Sequence, residues 1–351
     1  MAPRQLKLGV IMKGTGSHIA GWRHPSVPLH KASHFSQYVD IARIAENAKL
    51  DFVFLADSPS VSYMHQPVML ERVPPVYHIE PVTLLSALAP LTQHIGLIGT
   101  ITTTFSEPYN VARLFASLDH ISAGRACWNV VTTTNDQAAA NFGLAEQMPK
   151  SERYARASEF VDIVRGLWDS WEEDAFIMDR DSGIYADPSK MHFLDYRSER
   201  FAVRGPLNVP RTPQGQPVIC AAADSAEGRE LAARTADLMF NAQLNIDSAR
   251  AFYQDVKGRM EKYGRKPDDL SIVLGCTFIV GRTDEEAQEK YAFLESLIDV
   301  EIGMQYLNYL ALRGGEPART DLFDGVDLSW KRYPGGAALG TLLAEAEKRY
   351  D

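Results

Sequence analysis

Four clusters of polar side chains stand directly after short apolar runs, where core packing does not call for them. Phe54-Leu55-Ala56-Asp57-Ser58 ends such a run on a carboxylate, and Asp57 suits a ligand-facing acid as well as a turn or helix cap. Gly99-Thr100-Ile101-Thr102-Thr103-Thr104 places four threonines in five positions. Their hydroxyls can bond the edge of a heteroaromatic ring without introducing charge, although threonine is also a good strand former. In Cys127-Trp128-Asn129-Val130-Val131-Thr132 an indole offers a stacking plane or a core filler, and the neighbouring amide can donate and accept together. In Ala222-Ala223-Asp224-Ser225-Ala226-Glu227-Gly228-Arg229, Ser225 opens a helical stretch. The free N–H groups of a helix N-terminus bind phosphate there, unless Ser225 is an ordinary cap.

These clusters need elements to position them. Strand-like runs occur at 7–12, 52–55, 95–101, 125–131, 218–221, 238–241 and 272–280, and helical patterns lie between or after them at 36–49, 81–91, 110–121, 151–171, 226–234, 248–263 and 285–297. The strands are continuous apolar runs rather than alternating ones, which is how a parallel sheet covered on both faces reads. A doubly wound sheet or a (β/α)8 TIM barrel follows. Gly14, Gly16 and Gly21 do not make a dinucleotide fingerprint: the third glycine is misplaced, and Trp22, Pro25 and Pro28 follow where a helix would open. In a barrel the four clusters fall at the C-terminal strand ends, with a ring-binding edge on strands two to four and a phosphate site after strand five. That outline suits a mononucleotide such as FMN.

The Gly- and Pro-rich stretch 176–217 breaks the alternation and reads as an insertion after the fourth helix, a lid with strand-like pieces at 191–194 and 201–203. After residue 297 a helical extension, 298–351, follows, with helices expected at 300–312 and near 338–349. No eighth strand is visible, so the last βα unit is expected to be missing from a single domain of residues 1–351.

Composition narrows the function further. The chain has 351 residues, 45% hydrophobic, and Lys+Arg 36 against Asp+Glu 45 gives a net charge of -9, without the basic face that nucleic acid requires. No run approaches the roughly 18 apolar residues of a membrane span, and no signal peptide precedes the first strand. Cys127, Cys220 and Cys276 lie apart within apolar runs, as buried thiols of a cytoplasmic protein would. There is no HExxH motif or close His/Asp cluster, so no metal is expected.

The sequence resembles the nitrilotriacetate and dibenzothiophene-sulfone monooxygenase branch of the luciferase-like flavin-dependent monooxygenases. The matching blocks run in order across most of the chain: Trp22–His24, Leu55–Asp57, Glu80–Pro81, Gly99–Thr103, Glu107–Tyr109, Ala116–His120, Gly124–Arg125, Trp128–Thr132, Asn141–Gly143, Glu152–Ala155, Leu167–Trp171, Val203–Leu207 and Ser225–Arg229. The resemblance implies a TIM barrel of the bacterial-luciferase type and the oxygenase component of a two-component system. It implies reduced FMN (FMNH2) delivered by a separate NAD(P)H-dependent flavin reductase, and O2 used to oxygenate a small organic substrate, often with C–S or C–N cleavage. It also implies a homodimer or homotetramer. The family's flavin contacts fall on Asp57, Thr103, Tyr154 and Ser225, with Asn129 lining the same pocket. His24 faces the substrate cavity, where it would orient or protonate a reacting group. Lys150 stands where the family often has His and would pair with phosphate. Ala223 and Asp224 replace a glycine-containing turn, and the carboxylate would oppose a phosphate dianion.

Two other functions fit parts of this pattern: a deazaflavin-dependent hydride-transfer oxidoreductase, and a non-catalytic, degenerate flavin-binding relative. His18, His65 and His78 are further candidates for substrate contact. Tyr63, Met64, Met69, Val73 and Tyr77 in the loop 58–77 point to an apolar ligand.

Overall fold

A computed structural model describes residues 5–31, 34–61, 67–74, 79–243, 245–299 and 302–303. In chain order the elements are β1 (Gly9–Ile11), α1 (Phe35–Asn47), β2 (Phe52–Leu55), α2 (Pro67–Arg72), α3 (Pro81–Leu88), β3 (Gly96–Thr102), α4 (Pro108–Ser122), β4 (Ala126–Val131), α5 (Asp136–Asn141), α6 (Lys150–Trp168), β5 (Tyr196–Arg197), β6 (Ala202–Val203), β7 (Val218–Ala222), α7 (Ala226–Thr235), β8 (Leu238–Asn241), α8 (Ile246–Met260), β9 (Ser271–Leu274) and α9 (Asp284–Ser296). The chain divides into two compact units. One comprises Met1–Met12, Phe35–Pro59 and His78–Cys276; the other comprises Lys13–His34, Ser60–Tyr77 and Thr277–Asp351.

The first unit is an α/β fold around a parallel sheet of seven strands in the order β1-β2-β3-β4-β7-β8-β9. These are the seven strands the periodicity predicts. Successive side chains point to opposite faces of a strand. One face packs Phe54, Ile98, Cys127 and Cys220 into a small inner cluster. The other packs Leu55, Leu97, Trp128, Ile219 and Met239 against Phe115 and Phe160 of the helices. The rings of Phe54 on β2 and Phe240 on β8 lie 5.7 Å apart, so the sheet curls until strands near its two edges meet across the inside.

Short local signals set the boundaries. Glu80 caps α3 by accepting from Val82 N (2.9 Å) and Thr83 N (2.7 Å), and Pro81 occupies the first turn. After α4, Ala123 and Gly124 take φ of 54° and 85°, and this left-handed turn delivers the chain into β4.

Two expectations change. The hairpin of the segment 176–217 pairs Tyr196 with Val203 and Arg197 with Ala202, not 191–194 with 201–203. Ser198 causes this by building the turn, its Oγ accepting from Arg200 N and Phe201 N at 3.1 Å each. The segment's hydrogen bonds include Tyr109 Oη of α4 donating to Pro206 O (3.2 Å), Arg200 pairing with Glu159 of α6 (2.6 Å) and Gln214 Nε2 donating to Ala126 O of β4 (2.9 Å). Finally, Cys127 and Cys220 are buried but Cys276 is exposed, because β9 ends at Leu274 rather than near residue 280. The helix expected at 300–312 and the extension 298–351 lie outside the described residues except for 298–299 and 302–303.

Candidate active site

Above the inner cluster, the next inward-facing position of β4 is Asn129, which is only 2% exposed. Its Nδ2 donates to Thr100 Oγ1 at 2.8 Å, and Thr100 Oγ1 donates to Leu55 O at 2.7 Å. Asn129 Oδ1 has no hydrogen-bond partner among the described residues. A buried carbonyl oxygen without a partner is costly, so an N–H donor at this place would be gained by the fold as well as by the ligand. Thr103 is fully buried just beyond β3, with its amide and hydroxyl both donating to Val131 O (2.9 and 3.2 Å). Trp128 faces away: its ring packs on Phe115 (6.0 Å) and Phe160 (5.7 Å), and it is core rather than a stacking wall.

Asp57 follows β2 and is half-buried. Burial pushes its carboxyl above the ordinary range, the Ser58 amide pulls it down, and nearby Glu80 pushes it up again.

The residues expected to meet a phosphate lie in the first turns of α6 and α7. Ser225 caps α7, accepting from Gly228 N at 3.2 Å and donating to Tyr154 Oη at 3.2 Å. Tyr154 Oη carries a proton of its own that can point at an anion. A Cβ on Gly228 would lie 2.3 Å from Ala223 Cβ and 2.9 Å from Tyr154 Oη, so only glycine lets loop, helix and phenol come together. Lys150, one turn before Tyr154, pairs with Glu227 Oε2 at 2.8 Å and holds that carboxyl below its usual range. Asp224 is largely exposed and already compensated, with Arg229 donating to its backbone O at 2.8 Å and to Oδ1 at 3.1 Å. The charge expected to oppose a phosphate is therefore paired.

Several residues that position this site were not singled out from the sequence. Arg153, 7% exposed, donates to Met148 O (3.0 Å), Thr132 O (3.1 Å) and Thr133 O (2.8 Å). Arg156 donates to Thr103 O and Ser106 O at 3.0 Å each and lies over the Phe201 ring at 4.4 Å. Helix α6 thereby fastens the ends of β3 and β4 beside its own Tyr154, and Thr133 is held there at a φ of 35°, rare for a β-branched residue. The usable signal was two arginines three apart on a helix whose next residues, Ala157 and Phe160, face the core.

His24 belongs to the second unit. Its Nδ1 lies 2.7 Å from Ser26 Oγ and accepts from Ser26 N at 3.2 Å, and its ring stands edge-on to Phe293 at 5.5 Å. Nε2 is the nitrogen left for exchange with a ligand. His18 has both nitrogens engaged, accepting from Ala20 N (3.1 Å) and facing Glu295 Oε1 (3.2 Å). A cavity of about 380 Å³ in this unit is lined by Ile19, Trp22, Arg23, Arg72 and Leu297 among others. Met69 and Val73 pack with Ile302 in a small core, and Val73 and Ile302 also line this cavity. Tyr63, Met64, His65, Tyr77 and His78 lie outside the described residues. Among the described residues, no group of three or more His, Cys, Asp or Glu is placed to hold a metal ion, and no helix is long and apolar enough to cross a membrane.

A curled parallel sheet with its polar residues at the C-terminal strand ends defines the class. The chain belongs to the luciferase-like monooxygenase family, whose model matches residues 16–336, and it is a flavin-dependent monooxygenase. It is 47% identical over 344 residues to N-acetyl-S-(2-succino)cysteine monooxygenase of Bacillus subtilis (strain 168), covering 98% of this chain and 73% of that protein. It is also 47% identical over 316 residues to nitrilotriacetate monooxygenase component A of Aminobacter aminovorans, covering 88% and 70%. The crystal structure of long-chain alkane monooxygenase superposes with a TM-score of 0.82 at 31% identity, covering 98% of this chain and 79% of that one.

Proposed function

We propose that this chain is the oxygenase component of a two-component system that takes reduced FMN from a separate flavin reductase and uses O2 to oxygenate a small carboxylate-bearing amine or thioether, with C–N or C–S cleavage. The observation that carries the FMN reading is the buried Asn129 Oδ1, without a partner among the described residues, at the same C-terminal end of the strands as the Gly228 cradle. The substrate class follows from the two relatives at 47% identity, one named for a succinylated cysteine and one for nitrilotriacetate.

When bound, reduced FMN supplies the two electrons that activate O2. The chain's own groups do the rest. Asn129 and Thr103 accept ring N–H donors. Tyr154, Ser225 and the N–H groups of the first turn of α7 hold the phosphate, and Lys150 exchanges part of its pairing with Glu227 for the anion. Asp57 would face the ring or the substrate, and His24, on the second unit, is the candidate proton-transfer residue through Nε2. The pairing of Asp224 with Arg229 removes the charge conflict that favoured a degenerate, non-catalytic relative.

The test is an anaerobic titration with reduced FMN followed by an O2 pulse, with and without nitrilotriacetate. Tight binding of reduced FMN, reoxidation slower than that of free flavin, and consumption of the amine are expected. Failure to bind reduced FMN would sink the proposal. Binding of a deazaflavin with substrate turnover in the absence of O2 would transfer it to hydride chemistry.

A further inference from the structure

Thr100 has one hydroxyl proton, and Leu55 O takes it at 2.7 Å. A carbonyl oxygen only accepts, so Thr100 Oγ1 turns lone pairs toward Asn129, which must present its N–H2 side at 2.8 Å. This chain of donors settles the orientation of the Asn129 amide on chemical grounds. What remains facing the inside of the sheet is Oδ1, buried and unpartnered among the described residues. Thr103 is locked in the same sense, its proton directed to Val131 O at 3.2 Å. Thr103 has no proton left to offer a ligand, and Oδ1, the buried atom of Asn129 without a partner among the described residues, can only accept.

We propose that the Leu55–Thr100–Asn129 chain makes this site select the reduced over the oxidised isoalloxazine, with Asn129 Oδ1 accepting from N5–H, and that Thr100 is the positioning residue that enforces it. The inference rests on the reading of the site as an FMN site. The reduced ring carries a proton on N5, whereas the oxidised ring has a lone pair there that would confront the lone pairs of Oδ1. The N3–H group is common to both forms and gives no discrimination. An oxygenase supplied by a separate reductase benefits from such a bias, because it takes up reduced flavin and lets oxidised flavin leave.

The experiment measures the Kd of oxidised and reduced FMN anaerobically for the wild type, Thr100→Val and Thr100→Ser. In the wild type a preference for the reduced form of about tenfold or more is expected. Thr100→Val has nearly the same shape but no hydroxyl, which frees the amide to turn its N–H2 inward. It should bring the ratio to within about threefold, and Thr100→Ser should restore it. A ratio unchanged in Thr100→Val, or equal weakening of both forms, overturns the proposal and points to N3–H as the partner. A second arm needs no variant: reduced 5-deazaFMN, with carbon at position 5, should bind the wild type as weakly as oxidised FMN. Binding as tight as that of reduced FMN also overturns it. A wild-type protein that binds neither flavin form fails the underlying FMN reading, and that failure shows before any variant is made.

Discussion

At the N-terminal end of the strands, Asp119 is fully buried and each of its oxygens is occupied, Oδ1 by Ala126 N (3.1 Å) and Gln214 Nε2 (2.6 Å), and Oδ2 by Gln214 N (3.1 Å). Beside it, the five N–H donors of Arg125 meet five acceptors, on Ala89, Thr92, Ile95 and Ser122. At the C-terminal end of the same strands the arginines are equally busy, but Asn129 Oδ1 is open, Asp57 is half-desolvated, and Thr133 is strained. One end is closed on itself and gives stability; the other keeps unmet hydrogen-bonding capacity for a ligand. Asp119→Ala strips three donors of their acceptor and should produce the largest effect, a loss of about 3 kcal/mol or more in urea unfolding. The flavin affinity of the protein that remains folded should change by no more than about twofold. A comparable loss of affinity would show that the two ends are coupled.

Much of this division was legible in the sequence. The seven strands were visible because each is a short apolar run, and the strand ends were visible because Asp57, the threonines, Asn129 and Ser225 interrupt such runs. What could not be read is how polar atoms pair. Nothing in the spacing of Asp224 and Arg229 fixes that they face each other, and Lys150 finds Glu227 only because α6 and α7 bring their first turns together. Trp128 sits on the outer face of β4, while its neighbour Asn129 faces inward. A one-residue difference in parity separates core from site, and the residue types alone do not decide it.

The next largest effect should come from the phosphate cradle. Gly228→Ala introduces a Cβ 2.3 Å from that of Ala223, which forces the loop from the start of α7. A loss of FMN affinity between about tenfold and a hundredfold is expected, with riboflavin much less affected. Equal losses for FMN and riboflavin would mean that Gly228 does not act through the phosphate. Tyr154→Phe is milder, because it removes one donor and leaves Ser225 and the helix N-terminus in place. About a five- to tenfold loss for FMN is expected, with none for riboflavin, and isothermal titration of both ligands decides it.

The smallest effect contrasts the same residue type at the two ends. Burial holds the pKa of Asp57 above its unfolded value, so the folded state favours the protonated carboxyl. The stability this contributes is present below the ordinary carboxylate range and is lost as pH rises through the raised pKa, so at neutral pH the ionised Asp57 is a cost. Asp57→Asn imitates the protonated acid and should unfold at higher urea than the wild type at pH 7. The difference should shrink as the pH is lowered toward the carboxylate range. A gain that does not vary with pH would trace to packing instead, and a loss at pH 7 would show that Asp57, like Asp119, is held by partners that need its charge.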